Sequence, residues 1–116
     1  PMPPMWSLGY QQCRWGYANQ NDLLNVAKTL REKKLPSDVV YMDITYMDHY
    51  KVFTWDPVNF PDPKGMVDQL KKMNFDLVTI IDPGIKIETG YKAYDEGVAK
   101  DLFAKYPDGR LYGGHV

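Results

Sequence analysis

Short, nearly continuous apolar runs alternate along this chain with stretches whose apolar residues recur at helical spacing, and this alternation restricts the fold more than any other feature. The runs, at residues 5–9, 39–44, 77–81 and 111–116, read as strands buried on both faces. Leu23, Val26, Ala27 and Leu30 fall at i, i+3, i+4 and i+7, which predicts a helix over 21–34 with Asn19 or Asn21 as its cap and Lys33-Lys34 at its end. Met66, Leu70 and Met73, with Val67 beside them, follow Asp62-Pro63 and predict a second helix over 63–73. Proline in a first turn lacks only a donor that would have had no partner there. Val98, Ala99, Leu102, Phe103 and Tyr106 give a third stripe, over 95–106, that stops at the turn-forming Pro107-Asp108-Gly109. Strands alternating with helices make a parallel sheet joined by right-handed crossovers, the α/β class.

The connections are unequal. Helix-to-strand links are tight, at 35–38 and 74–76, whereas strand-to-helix links are long, at 11–20, 45–62 and 83–94. In parallel α/β architectures the loops beyond the carboxyl ends of the strands build the binding site, so they are the ones that lengthen. Here they are rich in aromatics, among them Trp15, Tyr17, Tyr46, Phe53, Trp55 and Tyr91. An aromatic rim over acidic strand ends suits a sugar or another flat, hydroxylated ligand, and packing of the same rings onto their own scaffold is the plainer alternative.

Two carboxylates, Asp43 and Asp82, stand where strands run out. An acid ending an apolar strand is unfavourable unless it is paired or used, which makes both site candidates. Asp82 precedes Pro83-Gly84, so capping of its own turn competes with function there; Asp43 has fewer turn signals behind it and ranks first. Arg14-Trp15 offers either a charge and a stacking wall for a site, or a buried ion pair under an aromatic lid. Cys13 reads as a small buried hydrophobe and His49 as a solvated loop residue.

The charge balance, 14 Lys plus Arg against 15 Asp plus Glu over 116 residues, gives a net charge of −1 and no basic face, which argues against nucleic acid as a partner. No stretch reaches the ~18 apolar residues of a membrane helix, so the chain reads as soluble and without a membrane partner. The composition carries no mark of localisation. A single cysteine excludes an internal disulfide. Neither a glycine-rich phosphate loop, nor a metal-ligand spacing, nor a nucleophile-base arrangement is present, so no cofactor and no metal are expected. Opening on Pro1 and stopping directly after an apolar run, the chain reads as a piece cut from something larger.

Pro3-Pro4-Met5-Trp6, Leu8-Gly9, Arg14-Trp15-Gly16-Tyr17, Leu35-Pro36-Ser37-Asp38-Val39-Val40, Asp43-Ile44 with Tyr46-Met47-Asp48, Phe53-Thr54-Trp55-Asp56, Phe60-Pro61-Asp62 and Asp82-Pro83-Gly84-Ile85 run collinearly from Pro1 to Val116. Together they resemble glycoside hydrolase family 31, and its α-glucosidases in particular. The resemblance implies that these segments open a catalytic TIM (β/α)8 barrel. The chain would then hold its first three to four βα units, a partial barrel over 1–116 with no second domain.

The resemblance also implies site residues. Asp43 matches the family's carboxylate that hydrogen-bonds the non-reducing-end glucose, Ile44 and Ile85 match apolar walls of that subsite, and Trp15 matches an aromatic lining it. Asp82, Arg14 and Tyr46 stand behind these as secondary candidates. Thr45 replaces the second Asp of the family's common Asp-Ile-Asp-Tyr-Met, which removes a charge near the sugar. The family's nucleophile, in a Trp-x-Asp-Met-Asn motif, and its acid/base match nothing here, so no catalytic residue is expected in this chain. The implied function is a share in a retaining α-glucosidase acting on an α-glucoside or oligosaccharide, with the piece inactive alone. α-Xylosidase, transglucosidase and sulfoquinovosidase activities stay open within the family. A half-barrel that binds sugar weakly, or a structural building block, is the second reading, and a receiver-like module holding a divalent ion on Asp43 and Asp82 is the third. An open half-barrel leaves strand edges exposed, so association with the remainder of the barrel or with a second copy is expected.

Overall fold

The central strand decides the layout. In the computed structural model, which describes residues 1–114, β1 (Gln11–Arg14), β2 (Val39–Met42) and β3 (Asp76–Thr79) form one parallel sheet in the order β1-β2-β3. Val40 and Met42, two residues apart, face the helices, where they meet Leu23, Leu24 and Ala27 of α1 (Gln20–Glu32) and Met66 and Leu70 of α2 (Pro63–Lys72) in one core. The opposite face of β2 carries Tyr41, whose hydroxyl donates to Gln11 Oε1 at 2.6 Å. Both helices start as their sequences direct. The Asn19 side-chain oxygen accepts from the N–H groups of Asn21 and Asp22 at 2.9 and 3.0 Å, and the Asp62 carboxylate accepts from Gly65 N–H at 2.9 Å.

Burial on both faces holds for β2 but not for its neighbours, because the sheet stops at β1 and β3. Cys13, on edge strand β1, is accordingly exposed rather than buried. The run at 5–9 is not a strand. Both the N–H and the hydroxyl of Ser7 bond Pro4 O, at 3.0 and 2.7 Å, which closes a 3-10 turn over Met5–Leu8. The first strand forms later, from polar Gln11–Arg14, because the edge of β2 supplies its partners.

The third helix is α3 (Lys92–Ala99), earlier and shorter than the stripe at 95–106 predicts. The chain reverses after it, with Leu102 N–H on Gly97 O at 2.9 Å, and Phe103 folds back onto Gly97 and stacks on Tyr94 at 5.9 Å between ring centres. A side chain at Gly97 would put its Cβ 2.4 Å from the Phe103 ring, so only glycine lets that ring close. A fourth strand is absent among the described residues: Leu111 makes an isolated antiparallel bridge with Lys105, and residues 115 and 116 of the predicted run lie outside the described part. The radius of gyration, 17.5 Å, exceeds the about 13 Å of a self-contained domain this long, in keeping with a sheet open at both edges.

At the amino ends of the strands, Arg31 ties the scaffold together. Its Nε donates to Met73 O at 2.7 Å, its terminal nitrogen donates to Ser37 O and Asn74 O at 2.7 and 2.9 Å, and its guanidinium lies 4.0 Å over the Phe75 ring. One planar fork thus joins the end of α1 to both tight links. Arg31→Lys, which keeps the charge and loses the fork, should lower the unfolding free energy by about 2 kcal/mol in urea titration.

Candidate functional site

The register brings the three strands to an end at one level, since Arg14 lies opposite Met42 and Met42 opposite Thr79. Trp15, Asp43 and Ile80 are therefore the first residues past the sheet, in a row with neighbouring strands about 5 Å apart. Asp43 Oδ1 accepts from Ile44 N–H at 2.7 Å and caps the 3-10 turn Ile44–Tyr46, while its other oxygen has no protein hydrogen bond among the described residues. The expected contrast between the two acids is thus reversed: Asp43 caps its own turn and Asp82 does not. Pro83 removes one donor, the N–H of the next residue, which Asp43 finds in Ile44.

Ile44 and Ile85 are half-buried and pack against the same core. Trp15 is 67% exposed, and Arg14, also exposed, makes no ion pair among the described residues. The buried ion pair considered for Arg14 is therefore absent there, because the residue closes an edge strand. Tyr46 is 4% exposed, its hydroxyl donates to Ile80 O at 2.8 Å, and its ring lies 5.0 Å from that of Trp55. Burial raises the Tyr46 phenol above its ordinary pKa, with nearby Thr79 pulling the other way and the charge of Asp82 adding to the rise. Thr45 Oγ1 donates to Tyr17 O at 3.4 Å. Much of the aromatic rim packs inward: Tyr17, Tyr46, Phe60 and Tyr91 are buried, whereas Trp15, Tyr50 and Phe53 face solvent. The Tyr17 hydroxyl is a buried side-chain oxygen without a hydrogen-bond partner among the described residues.

A second feature joins residues that no sequence motif connects. Lys51, its side chain 16% exposed, bridges Asp48 at 2.9 Å and Glu88 at 3.2 Å; Lys86 reaches Glu88 at 3.0 Å and His49 O at 3.2 Å. Tyr91 donates its hydroxyl to Val52 O at 2.5 Å. The second and third loops are locked together, and beside the lock lies an open groove of about 490 Å³ lined by Phe53, Tyr91, Lys92 and Glu96 among others. His49, Tyr50 and Phe53 hold φ of 49°, 60° and 63°, a left-handed backbone unusual outside glycine. Among the described residues no three His, Cys, Asp or Glu side chains converge as cation ligands.

All 116 residues match the family model described as the glycosyl hydrolases family 31 TIM-barrel domain. The chain belongs to glycoside hydrolase family 31. Alpha-glucosidase 2 of Bacillus thermoamyloliquefaciens is 43% identical over 116 residues, which is 100% of this chain and 15% of that protein. Human neutral alpha-glucosidase AB is 41% identical over 113 residues, 97% of this chain and 12% of that protein. A crystal structure of the ER glucosidase II heterodimeric complex, of a catalytic subunit and the binding domain of a regulatory subunit, superposes with a TM-score of 0.92 at 45% identity. It covers 96% of this chain, which in turn spans 12% of that one. The three-stranded open sheet is accordingly part of the family's α/β barrel and not of a doubly wound receiver-like module.

The lock gives a pH dependence. Lys51, then His49, hold the Asp48 carboxyl below the ordinary carboxylate range, and Lys86, then Lys51, do so for Glu88. Asp48, then Glu88, hold the Lys51 ammonium above its own ordinary value. Lowered carboxyls stabilise the fold above their unfolded pKa and lose that contribution as pH falls through the lowered value; the raised lysine contributes until pH rises through its raised value. The lock is thus complete between about pH 5 and pH 10. Lys51→Met should return the NMR titrations of Asp48 and Glu88 toward ordinary carboxylate values and flatten the loss of stability on acidification.

Proposed function

We propose that this chain supplies the first three βα units of the barrel of a retaining α-glucosidase, and with them the residues that hold the terminal α-linked glucose, while nucleophile and acid/base come from elsewhere in the full-length enzyme. The observation that carries this reading is Asp43. Its Oδ1 is spent on Ile44 N–H and its other oxygen is unclaimed by protein, at a strand end level with Trp15 and beside half-buried Ile44. A pyranose asks for that combination, a carboxylate to accept its hydroxyls and apolar or aromatic surfaces against its ring. Ile85, from the third loop, supplies a second such surface. Arg14 and Asp82, which close β1 and follow β3, would border the site, and Tyr46, whose hydroxyl is committed to Ile80 O, would support it from within. Relatives that are themselves named α-glucosidases favour glucose as the sugar.

In a retaining mechanism one carboxylate attacks the anomeric carbon while a second protonates the leaving oxygen and then activates water. The role of Asp43 is to fix the sugar ring so that its anomeric carbon meets the nucleophile, a contribution to positioning and not to bond cleavage. The outer edges of β1 and β3 are unpaired in the described sheet, and the remaining strands of the barrel would add there.

In the full-length enzyme, Asp43→Asn should lower kcat/KM for maltose about a hundredfold, the effect of roughly 3 kcal/mol; a change within twofold contradicts the reading. The isolated 116-residue chain should sediment as a self-associated species and release no aglycone from an aryl α-glucoside. Measurable turnover by it would refute the assignment of catalysis to other segments. Calorimetry of the isolated chain with maltose separates a half-barrel that still binds sugar from a purely structural block, which gives no heat.

A further inference from the structure

The short turn after β2 serves three loops at once. Thr45 and Tyr46 are consecutive on the 3-10 turn Ile44–Tyr46, and their hydroxyls go to different neighbours. Thr45 Oγ1 reaches Tyr17 O at 3.4 Å in the first loop, two residues beyond Trp15. Tyr46 reaches Ile80 O at 2.8 Å, where the third loop with Ile85 begins. Asp43 caps the same turn through Ile44 N–H at 2.7 Å. Tyr46 is held from behind, its ring 5.0 Å from Trp55 and its own carbonyl accepting Asp56 N–H at 2.8 Å, so a shift at its hydroxyl cannot be absorbed by the rest of the residue. Both acceptors are backbone carbonyls, so the side chains at positions 45 and 46 must be donors to reach them; neither a carboxylate nor an aliphatic side chain there can.

We propose that Thr45 and Tyr46 are positioning residues for the sugar subsite: without touching substrate, their two hydroxyls set the spacing of Trp15, Asp43-Ile44 and Ile85 around the glucose ring. This rests on the subsite reading given above. Bound geometry off by about 1 Å reduces turnover up to about a hundredfold, so a device that fixes three loops from one turn acts directly on sugar affinity. Tyr46 carries the larger share, because its bond is shorter and the buried Tyr46 ring leaves its half-buried carbonyl partner without that donor when the hydroxyl goes.

The test uses the full-length enzyme and two variants that remove only a hydroxyl. Tyr46→Phe keeps the ring on Trp55, and Thr45→Val keeps the shape of the side chain. KM for maltose and the inhibition constant of D-glucose should rise together, about fivefold or more for Tyr46→Phe and about twofold for Thr45→Val. In an Asp43→Asn background Tyr46→Phe should add less than its effect alone, since the Asp43 contact is already gone and only Trp15, Ile44 and Ile85 are left to be displaced. A lower Tm with unchanged KM and unchanged glucose inhibition would mean a structural role only and overturn the proposal, as would full additivity with Asp43→Asn. Should Tyr46→Phe fail to fold, Thr45→Val carries the same comparison. If Asp43→Asn leaves glucose inhibition unchanged, it is the subsite itself that fails, and that outcome is distinct from the other two.

Discussion

The hydrogen bond from the Tyr46 hydroxyl to Ile80 O, 2.8 Å long and partly buried, is the constraint on which the carboxyl face of this sheet depends. Such a bond contributes only about 1 kcal/mol net, but leaving its carbonyl unpaired costs about 1–3 kcal/mol, so alternatives to it are disfavoured. The long loop that carries Tyr46 would otherwise be a surface excursion. Instead it sends Met47, Val52 and Phe60 into the same core as α1 and α2, and Trp55 packs between Tyr46 and Phe60. The loop is therefore an integral part of the scaffold, and the residues at its start inherit that rigidity.

The two ends of the sheet divide their tasks. At the amino ends Arg31 gathers backbone carbonyls from both tight links, and its guanidinium is spent on the scaffold. At the carboxyl ends the polar groups are spent more sparingly: Asp43 keeps one oxygen unclaimed, Trp15 faces solvent, and the Tyr17 hydroxyl lacks a partner among the described residues. This asymmetry, stability at one end and available chemistry at the other, is what a parallel α/β sheet is expected to show.

Helices α1 and α2 were legible in the sequence because their signals are local, an apolar stripe at helical spacing behind an Asn or Asp cap. β2 was legible because a central strand is apolar throughout. β1 was not: Gln11-Gln12-Cys13-Arg14 has no strand signature, and pairing to β2 makes it one. The end of α3 is not legible in the sequence because Phe103 satisfies its apolar surface by folding onto Gly97 instead of by continuing the helix. At the site, the strand-end position of Asp43 could be read from its neighbours, but which acid caps its own turn depends on loop geometry that residue types do not announce, and the Lys51–Glu88 link crosses 37 residues with no periodicity to announce it. What sugar the strand-end residues would hold came from the motif resemblance and not from spacing.

The most direct measurement of the central claim is a crystal structure of the full-length enzyme with bound D-glucose. The account predicts the sugar ring between Ile44 and Ile85 with Trp15 at its rim, and a carboxylate oxygen of Asp43 within hydrogen-bonding distance of its hydroxyls. Glucose bound away from Asp43, for instance in the groove beside Phe53 and Tyr91, would contradict it.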